Sequence, residues 1–306
     1  MSQYVLYVAH RGTGPGGNGV SIVDPARPGV IDTLPLGSLA PLAIFNSDAN
    51  LAVLVDDSTE LRTVDVPTFT LASSLDLNLI KGLPDRVQHI ASSPDGAWLY
   101  LALGSRLHIV NAGTAQKTAS VRAREAEEIQ LIVPSPDNAS VYTLQFGRIS
   151  RFENTTGNEL PGIGGMAYRA LLIHPDGQAV YTVAGPLVIR LDSTTMQPTA
   201  TRKMAAEHPR ITLTPDGSRL CVSFTSVSNI PTMTTVFLDP VTLATKGTVS
   251  HAFNNNPQWT PDQKLVTTED NIVAVIDMTE NGQATGTELP GTAVGVAFAP
   301  PPTRHA

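Results

Sequence analysis

His10, His89, Glu128, Tyr168, Arg169 and Arg210 are the side chains of this 306-residue chain whose types suit acid-base chemistry on a small molecule. Neutral imidazole titrates near working pH, so His10 and His89 suit a general base or a metal ligand. Glu128 or Asp57 would orient or charge-balance such an imidazole. Arg169 and Arg210 suit an anionic substrate group or a developing oxyanion or enolate, and Tyr168 a proton donor. Arg11, Asp57, Gln130, Gln145, His208, Phe224, Asn255 and Glu269 complete the set as expected substrate contacts. None belongs to a contiguous motif, so they form a site only if the fold gathers them.

A repeat is what would gather them. Ser93-Pro94-Asp95-Gly96, Ser135-Pro136-Asp137-Asn138, His174-Pro175-Asp176-Gly177, Thr214-Pro215-Asp216-Gly217 and Thr260-Pro261-Asp262-Gln263 recur roughly every forty residues, with a weaker copy at Ser47-Asp48-Ala49-Asn50. Proline presets the angle entering each turn, and glycine or asparagine accepts the positive φ leaving it. An alternating apolar run follows each turn, and no copy has a helical period. Between residues 166 and 203 four strands are legible as MAYRALLI, QAVYTVA, LVIRLDS and QPTATRK, innermost first, with the turn joining the first two.

The chain opens with strands of the second, third and fourth kinds only: YVLYVAH, VSIVDPA and VIDTLPL. The missing first kind is AVGVAFAP at residues 293–300. The expectation is therefore an all-β, seven-bladed β-propeller with four-stranded antiparallel blades. A single domain would span 1–306, with 301–306 a loose tail, and the C-terminal strand would pair with the N-terminal strands to close the ring and remove open sheet edges.

In such a ring, the loops entering the innermost strands and those joining second to third strands share one mouth. Gln88 with His89, Gln130 after Glu128, Tyr168 with Arg169, His208 with Arg210, and Asn255 fall at the first kind of position. His10 with Arg11, Asp57, Gln145, Phe224 and Glu269 fall at the second. Ala184 shows that a small apolar residue is tolerated there, so the imidazoles, guanidinium groups and carboxylates of the other copies mark a binding or catalytic pocket.

Composition narrows the partners. Apolar residues at 42% against charged residues at 15% describe a folded chain, and a net charge of -7 without long runs of one sign excludes nucleic acid. Neither a signal-peptide pattern nor a membrane-length apolar run is present, which points to a cytoplasmic protein with no membrane partner, expected as a monomer. Cys221, alone in the alternating run RLCVSF, rules out a disulfide framework and reads as a buried apolar residue. Gly12 to Gly17 satisfies the dinucleotide glycine spacing but contains Pro15 and runs into a strand, not a helix. Asn138 and Asn154 read as turn residues despite their glycosylation-like spacing, and His174 as a turn stabiliser at the opposite mouth.

GQAVYTVAG (177–185), GAWLYLALG (96–104) and YVLYVAHRG (4–12), each followed by a strand of the type VSIVDP, VIRLDS or VAVIDM, resemble YVTN-type seven-bladed propeller repeats, a family related in pattern to cytosolic lactonase-like and virginiamycin B lyase-like propellers. The resemblance implies an enzyme of lactonase, lyase or cyclase type acting on a small-molecule substrate. The lyase-like relatives use histidine and acidic groups with a divalent cation, which makes Mg or Ca the expected cofactor if there is one. No site residue is carried over from them. The competing reading is a non-catalytic scaffold for a protein partner.

Overall fold

The computed structural model describes residues 4–12, 17–27, 29–37, 41–47, 50–55, 60–76, 87–111, 116–122, 128–206, 209–225, 233–251, 258–260, 262, 264–277, 283–290 and 292–299. Among these, the strands form seven four-stranded antiparallel sheets, and no helix occurs.

Sheet one holds β1 (Val5–Arg11), β2 (Gly19–Val23) and β3 (Val30–Pro35). Sheet two is β4 to β7 (Pro41–Ser47, Asn50–Val55, Glu60–Asp65, Thr70–Asp76), and sheet three is β8 to β11 (His89–Ser92, Trp98–Leu103, Arg106–Asn111, Gln116–Arg122). Sheet four is β12 to β15 (Leu131–Pro134, Ser140–Gln145, Arg148–Glu153, Glu159–Gly164), and sheet five is β16 to β19 (Tyr168–Ile173, Ala179–Ala184, Leu187–Asp192, Pro198–Lys203). Sheet six is β20 to β23 (Arg210–Leu213, Leu220–Thr225, Met233–Leu238, Thr245–His251), and sheet seven is β24 to β27 (Gln258–Trp259, Leu265–Glu269, Ile272–Asp277, Gln283–Glu288). The last strand, β28 (Thr292–Ala299), returns to sheet one, which has the order β28-β1-β2-β3. Val5 lies opposite Ala299 and Arg11 opposite Thr292, so the expected pairing of the two ends of the chain is present.

Two compact units carry these sheets. One, residues 1–87 and 253–306, holds sheets one, two and seven; the other, residues 88–252, holds sheets three to six.

The repeated turn works as its residues suggest. Ser93 Oγ donates to Asp95 Oδ1 at 2.5 Å and accepts the Trp98 N–H at 2.9 Å, while Gly96 leaves the turn at φ 70. Asn138 takes the glycine position at φ 58. Asn154 is buried and donates to the Asn138 carbonyl at 2.8 Å, so both asparagines are turn residues. In sheet five His174 replaces the hydroxyl: its Nδ1 lies 2.7 Å from Asp176 Oδ1 and its Nε2 3.2 Å from the Gly217 carbonyl of the next turn. Cys221 is 1% exposed, as its alternating context requires.

A second turn, between the third and fourth strands, fastens sheets two, four, five and six each to the sheet before it. Asp192 Oδ1 accepts the N–H groups of Thr194 and Thr195, and Asp239 Oδ1 those of Val241 and Thr242. The chain then passes through positive φ at Phe69 (50), Gly157 (71), Met196 (57) and Leu243 (57). Phe69, Met196 and Leu243 are each buried in the apolar cluster of the preceding sheet. The tyrosine of the preceding second strand meets the same turn: Tyr142 donates to the Ser193 carbonyl at 3.2 Å, Tyr181 to the Pro240 carbonyl at 2.9 Å, and the Tyr7 ring lies 5.7 Å from Phe69. These tyrosines are fully buried, and the hydroxyl bonds keep the turn carbonyls from being stranded away from water.

Gly157 is the exception that shows how tight the fit is. A Cβ there would stand 2.8 Å from Ala119 Cβ and 2.9 Å from Val121 Cγ2, in a backbone conformation that already favours glycine. Gly157→Ala is expected to cost about 2–3 kcal/mol in a denaturant titration. Gly177→Ala, at similar φ but with open space around it, should cost only about 1 kcal/mol.

Candidate functional site

In sheets three to six, the inner strands β8, β12, β16 and β20 adjoin in chain order. Their first residues therefore lie at one end of this unit, called here the upper end, with the Pro-Asp turns at the other. Five of the expected residues share that upper end: Glu128, Gln130, Arg169 and Arg210 are exposed, and His89 is half-buried. Gln130 is fixed by its N–H, which donates to the Leu144 carbonyl at 2.8 Å, and Arg210 begins β20 opposite Ser223.

His89 begins β8 opposite Ala102. Burial holds its pKa below the ordinary histidine value, and the Glu128 carboxylate acts against that shift. A neutral imidazole at pH 7 beside a carboxylate is the state a general base needs.

Arg169 owes its position to a backbone irregularity. Tyr168 lies opposite Ala184 and Ala170 opposite Val183, so Arg169 is an extra residue in β16. Such a bulge redirects the side chain it carries. The same slip occurs where Leu42 is passed over in β4 and Val294 in β28. Three inner strands thus slip register near their first residues, and in sheet five the bulged residue is a cation.

Several expected site residues are structural instead. His10 is fully buried: Nδ1 donates to the Gly17 carbonyl at 2.9 Å, and Nε2 lies 2.9 Å from Ser21 Oγ, itself 2.8 Å from Thr33 Oγ1. Both ring nitrogens are committed to a tie across β1, β2 and β3, and burial lowers the pKa, so this imidazole has no free nitrogen to offer a substrate. Tyr168, expected as a proton donor, is 1% exposed within the cluster of Tyr142, Leu144 and Leu171, where burial raises its pKa. Gln145 is fully buried, and Phe224 packs against the cluster between sheets five and six. The alternation that marks a strand does not separate these enclosed positions from open ones.

Arg11 is exposed at the end of β1, in the other unit, and Glu269 ends β25 opposite Ile272. Asp57, His208 and Asn255 lie outside the described residues. Among the described residues, no group of three or more His, Cys, Asp or Glu side chains is arranged to hold a metal ion. The described residues therefore do not make a fit for Mg or Ca. Among the described residues, no helix is long and apolar enough to cross a membrane.

Sequence reasoning missed two apolar residues at the upper end of sheet four, Phe146 and Met166, which are 49% and 39% exposed. It also missed His108, on β10, which is 2% exposed with neither ring nitrogen hydrogen-bonded among the described residues. Burial, reinforced by Lys117 and Arg106, lowers the His108 pKa to about 4. The folded value lies below the unfolded one, so the stability it supports is complete above pH 6.5 and is lost as pH falls toward 4. His108→Leu is expected to raise the melting temperature at pH 7 and to remove up to about 3 kcal/mol of that acid-side loss, read by melting curves across pH 4 to 7.

No protein-family model matches the chain, and no curated protein matches it. Solved structures do. A 6-phosphogluconolactonase-like protein of Bacteroides uniformis is similar at 17% identity and TM-score 0.71, over 97% of this chain and 100% of its own. The Cps50 (Swd1) β-propeller domain of Myceliophteria thermophila is similar at 14% identity and TM-score 0.66, over 84% and 88%. Hydrazine synthase of Kuenenia stuttgartiensis is similar at 16% identity and TM-score 0.62, over 80% and 78%. At these identities the likeness shows the fold: an all-β propeller with four-stranded antiparallel blades.

Proposed function

We propose that the chain is a small-molecule enzyme of lactonase, lyase or cyclase type, a cytoplasmic monomer of the YVTN-type pattern in which the seven sheets are blades of one ring. The working groups are His89, Glu128, Gln130, Arg169 and Arg210 at the upper ends of the inner strands. The observation that carries the reading is the bulge that turns the Arg169 guanidinium outward on a strand otherwise committed to the core. The 6-phosphogluconolactonase-like neighbour, matched over nearly the whole of both chains, agrees with it.

For a lactone the chemistry would run as follows. Neutral His89 takes a proton from water as the water oxygen bonds to the ring carbonyl carbon, and Arg169 offsets the charge on the carbonyl oxygen. The ring C–O bond then breaks, and the alkoxide leaving group takes the proton back from the His89 imidazolium. Glu128 steadies the imidazolium between the two transfers.

Activity should fall on acidification with a midpoint below the ordinary histidine pKa, because burial depresses His89. Glu128→Gln removes the carboxylate that opposes the shift, so the midpoint should move further down. A pH-rate profile of lactone hydrolysis in the two proteins checks both. A profile flat through that range, or a midpoint unmoved by the substitution, would dismiss His89 as the base.

The second reading is a protein-binding scaffold. It is favoured by the burial of His10, Tyr168 and Gln145, which leaves fewer groups free for chemistry, and by the Cps50 (Swd1) propeller among the neighbours. A co-purifying partner, with no lactone or carboxylate shifting the melting temperature, would establish it.

A further inference from the structure

The turn between β13 and β14 and the loop entering β16 form a single lip. Gly165 N–H donates to the Gly147 carbonyl at 3.2 Å, and Tyr168 N–H to the Met166 carbonyl at 2.9 Å. Gly147 and Gly165 adopt φ 81 and 94, which lets both segments turn back sharply where they meet. Phe146 and Met166 each adjoin one of the two bonded glycines, and Arg169 emerges by its bulge three residues further on. The phenyl and the thioether are 49% and 39% exposed. Among the described residues of this unit the remaining exposed large apolar side chain is Val241, on an outer turn. Two large apolar side chains kept in water beside an outward-turned guanidinium form a surface with a charge requirement and an apolar requirement at once.

We infer that the ligand of this site is a carboxylate monoanion with an aromatic or alicyclic body, the carboxylate on Arg169 and the body on Phe146 and Met166. The inference rests on the small-molecule reading and gives it a product class, since opening a lactone leaves a carboxylate at the carbon whose oxygen Arg169 faces. A planar guanidinium pairs with a carboxylate through two parallel N–H bonds, which fixes the direction of the anion. Phenyl and thioether groups accept a flat apolar partner, and methionine adjusts to its outline. A polyhydroxylated anion of the same charge would have to dry its hydroxyl groups against a phenyl and a thioether, neither of which is a strong hydrogen-bond partner.

The test compares carboxylates of equal charge by calorimetry and saturation-transfer NMR: gluconate, phenylacetate and 2-naphthylacetate, against wild type, Arg169→Gln, and Phe146→Ser with Met166→Gln. Wild type should bind phenylacetate at least about tenfold more tightly than gluconate, with a further gain for naphthylacetate. The double variant should bind all three alike, and Arg169→Gln should lose all three. Because the three positions are on the surface, melting temperatures serve as the folding control, and Phe146→Leu should keep most of the gain. Gluconate bound as tightly as phenylacetate in an Arg169-dependent way would overturn the inference and leave the enzyme reading standing. A ring-dependent gain that survives the double variant would overturn it too, by placing the body elsewhere. Failure of every carboxylate to bind would overturn both.

Discussion

Arg169→Ala should lower kcat/KM toward a lactone by at least about 100-fold, while the melting temperature moves by no more than about 2 °C. The size follows from removing one preorganised donor aimed at developing charge, which typically costs a factor of about 10² to 10³. The stability half follows from exposure: the side chain is exposed at the bulge, where substitutions usually change stability little. Arg169→Lys keeps the charge but not the planar fork, so it should restore only part of the rate. A loss of activity matched by a fall in melting temperature would instead make Arg169 a structural residue. Unaltered turnover would remove it from the site.

Tyr181→Ala is expected to cost about 4 kcal/mol, against about 1 kcal/mol for Tyr181→Phe. The tyrosine ring fills the cluster between sheets five and six beside Leu220, Val222 and Leu243, and truncating a buried aromatic costs roughly 3–5 kcal/mol in transfer and cavity terms. The phenylalanine variant keeps the ring and gives up the 2.9 Å bond to the Pro240 carbonyl and the hydroxyl's hydrogen bond with Arg190. Chemical denaturation of the three proteins separates the contributions. Equal costs for the two variants would mean that the bond, and not the packing, fastens sheet five to sheet six. Activity in Tyr181→Phe should be unchanged, because the residue lies well inside the sheet.

The turns were legible because their residues carry their own mechanics: proline, aspartate and glycine at Pro94-Asp95-Gly96 have one good way to be arranged. The return of β28 to sheet one was legible for a different reason, since three strands without a first strand leave an unpaired edge that something must cover. Burial of His10 and Tyr168 was not legible. His10 sits at a strand end where an exposed imidazole would be equally compatible with the pattern, and only Gly17, Ser21 and Thr33 together decide the matter. Arg169 was singled out for its charge, but the bulge that turns it outward depends on pairing with Ala184 and Val183 and has no local signature. Phe146 and Met166 were not legible, because a large apolar residue next to a strand end is as compatible with the core as with the surface. A large apolar residue flanked by glycine in a surface turn was the available clue.

Sheet one also sets a timetable for synthesis. β1, β2 and β3 leave the ribosome before the strands of the other six sheets and β28 after them, so sheet one waits while the residues between β3 and β28 are translated. At about 5–20 residues per second, that wait is roughly 15 to 60 seconds. Throughout it, the backbone edge of Val5–Arg11 stays open to pairing with any other strand, including the same segment of a neighbouring nascent chain. Sheets three to six have no such delay, since each is complete once its own four strands have emerged.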